Sequence, residues 1–309
     1  MRILVFKGFS NELREQLQAA FPLHELLFKQ SLTPDSLQTA FNTADIFLGN
    51  APLELFQQQP ANLKFWQLES AGFDQYKNLG LQVPVANMGD FFALKCAETA
   101  VAGLLALYRG MNTLLRLQDK KEWQSREVRT HLQLLSYKTV LILGLGTIGK
   151  AVQKVLTGFG CQIITSARQN PQANLHSIND VLTSLPGVDV VINTLPGAAK
   201  NYVSAQFLES MKPGSAYVSV GRGSTTDEAA LITALKTGKL AGAVLDVTAI
   251  EPLPLESELW EMNNVILSQH SGGGSADEHP GILNMFISNA QRFLSGQQPD
   301  NLVDLNRGY

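Results

Sequence analysis

Three polar residues follow directly on apolar, β-branched runs. Arg222 comes after "AYVSV" (216–220), Glu251 after "AGAVLDV" (241–247) and His270 after "NVILSQ" (264–269). In open α/β sheets ligands gather at the carboxyl ends of the strands, so polar residues leaving strands there are candidates for chemistry. An arginine, a carboxylate and a histidine make a complete set for reducing a 2-keto acid. The guanidinium holds a substrate carboxylate and polarises its keto oxygen, and the imidazolium hands that oxygen a proton. The carboxylate orients the ring and steadies its charge. Taken singly, each has a plainer reading: a surface ion-pair partner, a solvated loop residue, a packed histidine. On successive strand ends they point to catalysis.

A second motif lies upstream. "LILGLGTIGKAV" (141–152) is an apolar run, then G-x-G-x-x-G, then the opening of a helix. Gly144 permits the tight turn, Gly146 leaves room for a pyrophosphate, and Gly149 lets the helix pack close to the sheet. The N–H groups of Thr147, Ile148 and Gly149 then face the phosphates. The next strand, "CQIITSARQN", decides between cofactors. Ala167 occupies the position where an NAD site carries an acidic residue, and Ser166 and Arg168 flank it. No carboxylate is present to bond a ribose 2′-OH or repel a 2′-phosphate, while Arg168 can fork onto that phosphate and Ser166 can add a hydroxyl. A charge-assisted hydrogen bond contributes about 1.5–3 kcal/mol. Preference for NADP(H) follows, with NAD(H) still admissible.

These residues need elements to position them. The front of the chain offers strand candidates at 2–6, 45–50, 65–70 and 83–87, and then one long amphipathic segment from about Phe91 to Asp119. A second series follows at 139–143, 162–166, 188–194, 216–220, 241–247 and 264–269, interleaved with helical segments. Six such strands match a doubly wound nucleotide-binding domain. The fold class expected is α/β, with two Rossmann-like or flavodoxin-like domains. A doubly wound parallel-sheet cofactor domain (94–281) is inserted into a smaller α/β substrate domain (1–93 plus 282–309), to which the helical tail "ILNMFISNAQRFL" returns.

Composition narrows the function classes. The 309 residues are 45% hydrophobic, with a formal net charge of −3, which forecasts neither a nucleic-acid footprint nor attraction to an anionic membrane. Cys96 and Cys161 stand far apart, with no disulfide framework, zinc-site spacing or other metal motif. The opening "MRILVFKGFS" reads as a first strand rather than a signal peptide. No apolar stretch reaches the ~20 residues of a membrane span. A soluble cytoplasmic protein is expected.

The order and wording of these blocks resemble the D-isomer-specific 2-hydroxyacid dehydrogenases over nearly the whole chain. The resemblance runs through "ESAGFDQY" (69–76), "VANMGDFFALKCAETAVAGLLALYRGM" (85–111), "KTVLILGLGTIGKAVQKVLTGFG" (138–160), "MKPGSAYVSVGRGSTTDEAAL", "GAVLDVTAIEPLP" and "NVILSQHSGG" to the tail "NLVDLNRGY". It implies that Arg222 contacts substrate carboxylate and keto oxygen, and that Glu251 partners the acid–base His270. It further implies that Asp246 bonds the nicotinamide carboxamide, with Gly272 beside it. The backbone amides of Ser70, Ala71 and Gly72 would take the substrate carboxylate, as small residues with open N–H groups can. Leu195, Pro196, Val220 and Gly221 complete the implied cofactor contacts. Glu98 and Arg109 match family positions and are expected to form structural ion pairs.

Three departures from the family pattern stand out. The acidic residue after the second strand of the cofactor domain is absent, as in the NADP-using branch. "LPGAAK" (195–200) places Gly197 and Ala198 where a threonine is common, with Lys200 as a substitute charge. Gly273 stands where a tryptophan is frequent, which opens the pocket on that side. The implied reaction is NADPH-dependent reduction of a small 2-keto acid, glyoxylate or hydroxypyruvate first, to the D-2-hydroxy acid. Two alternatives stay open: a non-catalytic NAD(P)-sensing binding protein, and a dehydrogenase of another small acid. A homodimer is implied, with 115–138 as its arm and Trp123 as either interface anchor or packed aromatic.

Overall fold

A computed structural model describes residues 1–308. Its strands are β1 (Arg2–Val5), β2 (Glu25–Phe28), β3 (Ile46–Leu48), β4 (Phe65–Gln67), β5 (Val85–Ala86), β6 (Thr139–Leu143), β7 (Gln162–Ser166), β8 (Val190–Asn193), β9 (Ser215–Ser219), β10 (Leu240–Leu245), β11 (Val265–Leu267) and β12 (Leu302–Val303). The chain forms two compact units. One comprises Met1–Phe91 and the segment from Ser275 onward; the other is Phe92–Gly274. Residues 275–281, which the sequence places with the cofactor domain, fall in the smaller unit. Glu278 there bonds Lys7 at 3.3 Å, and Gly281 lies against the Phe91 ring.

In the larger unit the sheet order is β11-β10-β9-β8-β6-β7, and every pairing is parallel. Alternate residues of one strand feed two separate cores. Leu141 and Leu143 of β6 pack with Val181, Phe207 and Leu231, whereas Val140 and Ile142 pack with Ala100, Leu104 and Val152. A sheet buried on both faces needs continuous apolar strands, which is why β6 and β8 read as unbroken runs. Helix Ala93–Tyr108 covers one face through small residues. A Cβ on its Gly103 would lie 2.4 Å from Val244 Cγ1.

The long segment expected from Phe91 to Asp119 is two helices. Arg109 caps the first, Gly110 turns left-handed (φ 66°), and Met111–Lys120 forms the second with no buried residue. A lone glycine inside a helical pattern is tolerated on propensity alone. Here its freedom at positive φ ends the helix.

The smaller unit has the order β12-β5-β4-β3-β1-β2, parallel except for β12. This is a flavodoxin-like arrangement with an antiparallel edge. An aromatic cluster fills one face: Trp66 meets Tyr76 at 4.8 Å and Phe56 at 5.2 Å between centroids. Both polar tips are satisfied, with Trp66 Nε1 donating to Gly49 O and Tyr76 Oη to Ala51 O. Asn289, on helix Glu278–Leu294, donates to Gln67 Oε1 and to Asp300 O, joining helix, sheet and tail through buried amides.

The Gly103 contact sets up a test of sign. Gly→Ala in a helix interior ordinarily gains about 1 kcal/mol, but Val244 is buried and stiff at χ1, and overpacking costs about 1–3 kcal/mol. Gly103→Ala is expected to lower the midpoint of urea unfolding, and adding Val244→Ala should recover part of that loss.

Candidate active site

The carboxyl ends of three neighbouring strands, β9, β10 and β11, carry the candidate residues. Arg222 leaves β9, Glu251 leaves β10 and His270 leaves β11. His270 Nδ1 lies 2.6 Å from Glu251 Oε2. A carboxylate only accepts, so Nδ1 bears the hydrogen and Nε2 is the nitrogen left to exchange a proton. The other oxygen of Glu251 accepts the Thr248 amide at 3.0 Å, and Glu228 holds the same loop by accepting from Ala249 N at 2.8 Å.

Asp246 anchors the histidine loop. It is 4% exposed, and its Oδ1 accepts from Ser268 Oγ (2.7 Å) and Gly272 N (3.0 Å). Its backbone oxygen accepts the His270 N–H at 2.5 Å. Gln269 and His270 both have positive φ, 52° and 54°, a conformation that costs non-glycine residues about 1–2 kcal/mol each. Two bonds to a carboxylate, worth about 1.5–3 kcal/mol apiece, offset that. Sequence reading assigns Asp246 to the cofactor alone. Its hold on the loop, and the part of Ser268, were missed; a serine two residues before the histidine was the available signal.

Arg222 is half-buried, and its Nη1 donates to Gly221 O. Beneath it lies a buried network. Thr225 Oγ1 donates to Arg222 O at 2.6 Å, and Asn193 Nδ2 donates to Thr225 Oγ1 and to Tyr217 Oη. Gly223 was also missed. A Cβ there would lie 1.8 Å from Thr248 O, so only glycine lets the arginine loop touch the loop that carries Glu251.

The glycine loop divides its labour. Gly144 turns at φ 90° and donates to Ser166 O. A Cβ on Gly149 would come within 2.0 Å of Gly144 O, whereas one on Gly146 would meet nothing within 4 Å. Helix Thr147–Thr157 starts there with no side-chain cap and no acidic residue in its first turn. Open space above Gly146 and an uncapped helix start suit a pyrophosphate, so the residues present fit a dinucleotide. Thr147 is exposed, and Ile148 leans on the core. Leu195 and Pro196 are half-exposed, Val220 packs its side chain into the core, and Gly221 abuts the Leu195 backbone.

At the end of β7 the two expected phosphate ligands differ. Ser166 is buried, and burial pushes the Tyr202 phenol above its ordinary value. Arg168 is exposed, with no hydrogen bond or ion pair among the described residues. Asn170 ties this loop to the glycine loop, donating to Leu145 O. Glu98 and Arg109 do not form the expected ion pairs. Arg109 lies past its helix and donates to Gln133 O, and Glu98 is exposed and unpaired among the described residues. Beside Gly273, the ring of Phe92 would stand 3.1 Å from an added Cβ. Burial pushes the Cys96 thiol up to about 11, which keeps it protonated and unreactive.

In the smaller unit the turn of Ser70, Ala71 and Gly72 has all three carbonyls occupied, by Met88 N, Asn87 Nδ2 and Ser70 Oγ. Their three amides donate to no acceptor among the described residues. A turn with its carbonyls tied and its amides open has N–H groups free to meet an anion.

A parallel sheet with a dinucleotide loop at its reversal point, and a carboxylate-held histidine on the same edge, defines a nicotinamide-dependent dehydrogenase. Residues 101–272 match the family described as D-isomer specific 2-hydroxyacid dehydrogenase, NAD binding domain, and the chain belongs to that family. It is 29% identical to glyoxylate/hydroxypyruvate reductase B of Serratia proteamaculans, over 98% of this chain and 97% of that one. Among solved structures it is similar to a D-isomer specific 2-hydroxyacid dehydrogenase from Xanthobacter autotrophicus in complex with NADPH and MES. The TM-score is 0.83 and the identity 25%, over 100% of this chain and 99% of that one. A Sinorhizobium meliloti NADPH-dependent glyoxylate/hydroxypyruvate reductase with NADP and malonate gives 0.77 and 26%, over 99% and 97%.

Because Gly223 meets backbone on backbone, Gly223→Ala must displace the loop that carries Glu251. Stability should fall by about 1–3 kcal/mol and turnover by about tenfold or more. Cofactor affinity should be retained, as dye-monitored melting, steady-state kinetics and a binding titration would each show.

Proposed function

We propose that this protein reduces a small 2-keto acid of the glyoxylate or hydroxypyruvate type to its D-2-hydroxy acid, with NADPH as the preferred reductant and NADH admissible. The observation that carries the reading is the 2.6 Å contact between His270 Nδ1 and Glu251 Oε2, on the strand edge that also presents Arg222. When bound, NADPH supplies the hydride that reduces the keto carbon. Arg222 polarises the keto oxygen and pairs with the substrate carboxylate through its planar fork. As the C=O π pair moves onto oxygen, His270 Nε2 delivers the proton, and Glu251 fixes the ring for that transfer. The open amides of Ser70, Ala71 and Gly72 are assigned to the substrate carboxylate. Asp246, whose Oδ2 accepts no hydrogen bond among the described residues, is assigned with Gly272 to the nicotinamide amide.

Preference for NADPH is supported by Arg168, exposed beside Ala167 and unpaired among the described residues, and by the NADP-bound relatives. A binding protein without turnover has no use for a histidine held by a carboxylate, which favours the enzyme. Among the described residues no helix is long and apolar enough to cross a membrane. With both cysteines free, we place the protein in the cytoplasm.

A panel of 2-keto acids assayed with NADPH and with NADH tests the reading. Oxidation of NADPH by glyoxylate or hydroxypyruvate is expected, and tighter binding of NADH than of NADPH would overturn the cofactor assignment. His270→Ala should cut kcat by about 10²–10⁴-fold with NADPH affinity near normal; near-normal turnover would remove His270 from the reaction.

We further propose a homodimer built on the segment 115–138. Trp123 is 93% exposed, which rules out the packed-aromatic alternative within one chain, and Leu115, Leu134 and Tyr137 are exposed near it in sequence. Trp123→Asp with Leu115→Asp is expected to shift the mass in analytical ultracentrifugation from dimer to monomer, and an unshifted mass would refute the arm.

A further inference from the structure

We infer that His176 is a second ligand for the cofactor's 2′-phosphate, and that it takes up a proton when NADPH binds. The inference rests on the NADPH reading above and adds a residue and a pH dependence to it.

After β7 the chain loops out and returns alongside the strand's end. Ser166 and Leu175 form a parallel bridge, and Ala167 N donates to Leu175 O at 3.0 Å. The next residue, His176, is thereby held beside Ala167, the position that lacks the acidic residue of an NAD site. Its Nδ1 lies 2.9 Å from Ala167 O. A carbonyl oxygen only accepts, so this bond assigns the hydrogen to Nδ1 and leaves Nε2 as the nitrogen open to a ligand. Arg168, one residue on from Ala167, is exposed and has no partner among the described residues. His176 is exposed as well. Arg168 and His176 therefore flank the backbone position beside which the NADPH reading puts the 2′-phosphate.

The charges facing His176 come from two elements. Arg168 belongs to its own loop. Asp180, in the first turn of helix Ile178–Ser184, accepts from Ser177 Oγ (2.7 Å) and Ser177 N (3.2 Å). Those bonds, with a lesser contribution from the His176 ring, hold its carboxyl below the usual range. Asp180 is thus a fixed negative charge with or without cofactor, and it does not create a dependence on binding. The incoming phosphate does. A phosphate monoester is mostly dianionic above about pH 6, and imidazole is the side chain whose charge changes across the physiological range. A dianion placed against Nε2 favours the protonated ring, so binding draws in a proton. NADPH affinity then rises as pH falls, until the phosphate itself begins to protonate. NADH brings no such group and shows no such rise.

The test is direct binding, by protein fluorescence and calorimetry, of NADPH and NADH at about pH 6.5 and about pH 8.5. Wild type is expected to bind NADPH about fivefold more tightly at the lower pH, with net proton uptake seen as a dependence of binding heat on buffer ionisation. NADH affinity should change less than about twofold. One pKa unit of linkage corresponds to tenfold, so fivefold lies within what one ring can deliver. His176→Gln keeps an N–H for Ala167 O but cannot titrate. It should bring the NADPH change below about twofold and abolish the buffer dependence. Arg168→Ala should weaken NADPH at both pH values. An unaltered pH dependence in His176→Gln would overturn the inference while leaving NADPH preference intact. Wild type binding NADH more tightly than NADPH at both pH values would instead defeat the cofactor reading, and this inference with it.

Discussion

The geometry of the candidate site hangs on one buried carboxylate. Asp246, at the end of β10, faces the histidine loop with both its backbone oxygen and its Oδ1, and takes three hydrogen bonds from it. Those bonds hold Gln269 and His270 in the left-handed region, and the turn so formed leads the His270 ring to Glu251. A Cβ on Gly272 would stand 2.7 Å from Asp246 Oδ2, so the loop and the carboxylate fit closely. Sites of this kind gain accuracy from the second layer of contacts rather than from the reacting groups themselves.

The same economy of space governs the neighbouring loops. Gly221 abuts the Leu195 backbone, Gly223 abuts the Thr248 backbone, and Gly144 abuts Thr194. Backbone-to-backbone packing brings the loops after β6, β8, β9 and β10 onto one edge without long side chains between them. Beneath them Asn193, Thr225 and Tyr217 satisfy one another's polar atoms in a fully buried network. Such networks rigidify what stands on them when every member is paired.

Much of this was legible in the sequence because periodicity and strand ends are local signals. The six strands of the larger sheet, the glycine loop, the missing acidic residue at Ala167, and Arg222, Glu251 and His270 all announce themselves within a dozen residues. What escaped depends on long-range or conformational facts. β2 reads poorly because Glu25–Phe28 is a half-exposed edge strand without β-branched residues. The break at Gly110 needed its φ. Ser166 looked available, and its burial beside Tyr202 shows only once the loop after β8 is placed. The approach of Gly223 to Thr248 joins two loops that no spacing rule connects.

The last two glycines of the fingerprint are constrained in different ways. Gly149 has no room for a side chain, whereas nothing among the described residues stands within 4 Å of a Cβ at Gly146. Packing therefore constrains position 149, and no packing among the described residues constrains position 146. In a descendant that abandoned its cofactor, position 149 would stay glycine while position 146 drifted. Comparing those two columns across related sequences would separate chains that still use a dinucleotide from chains that merely inherited its cradle.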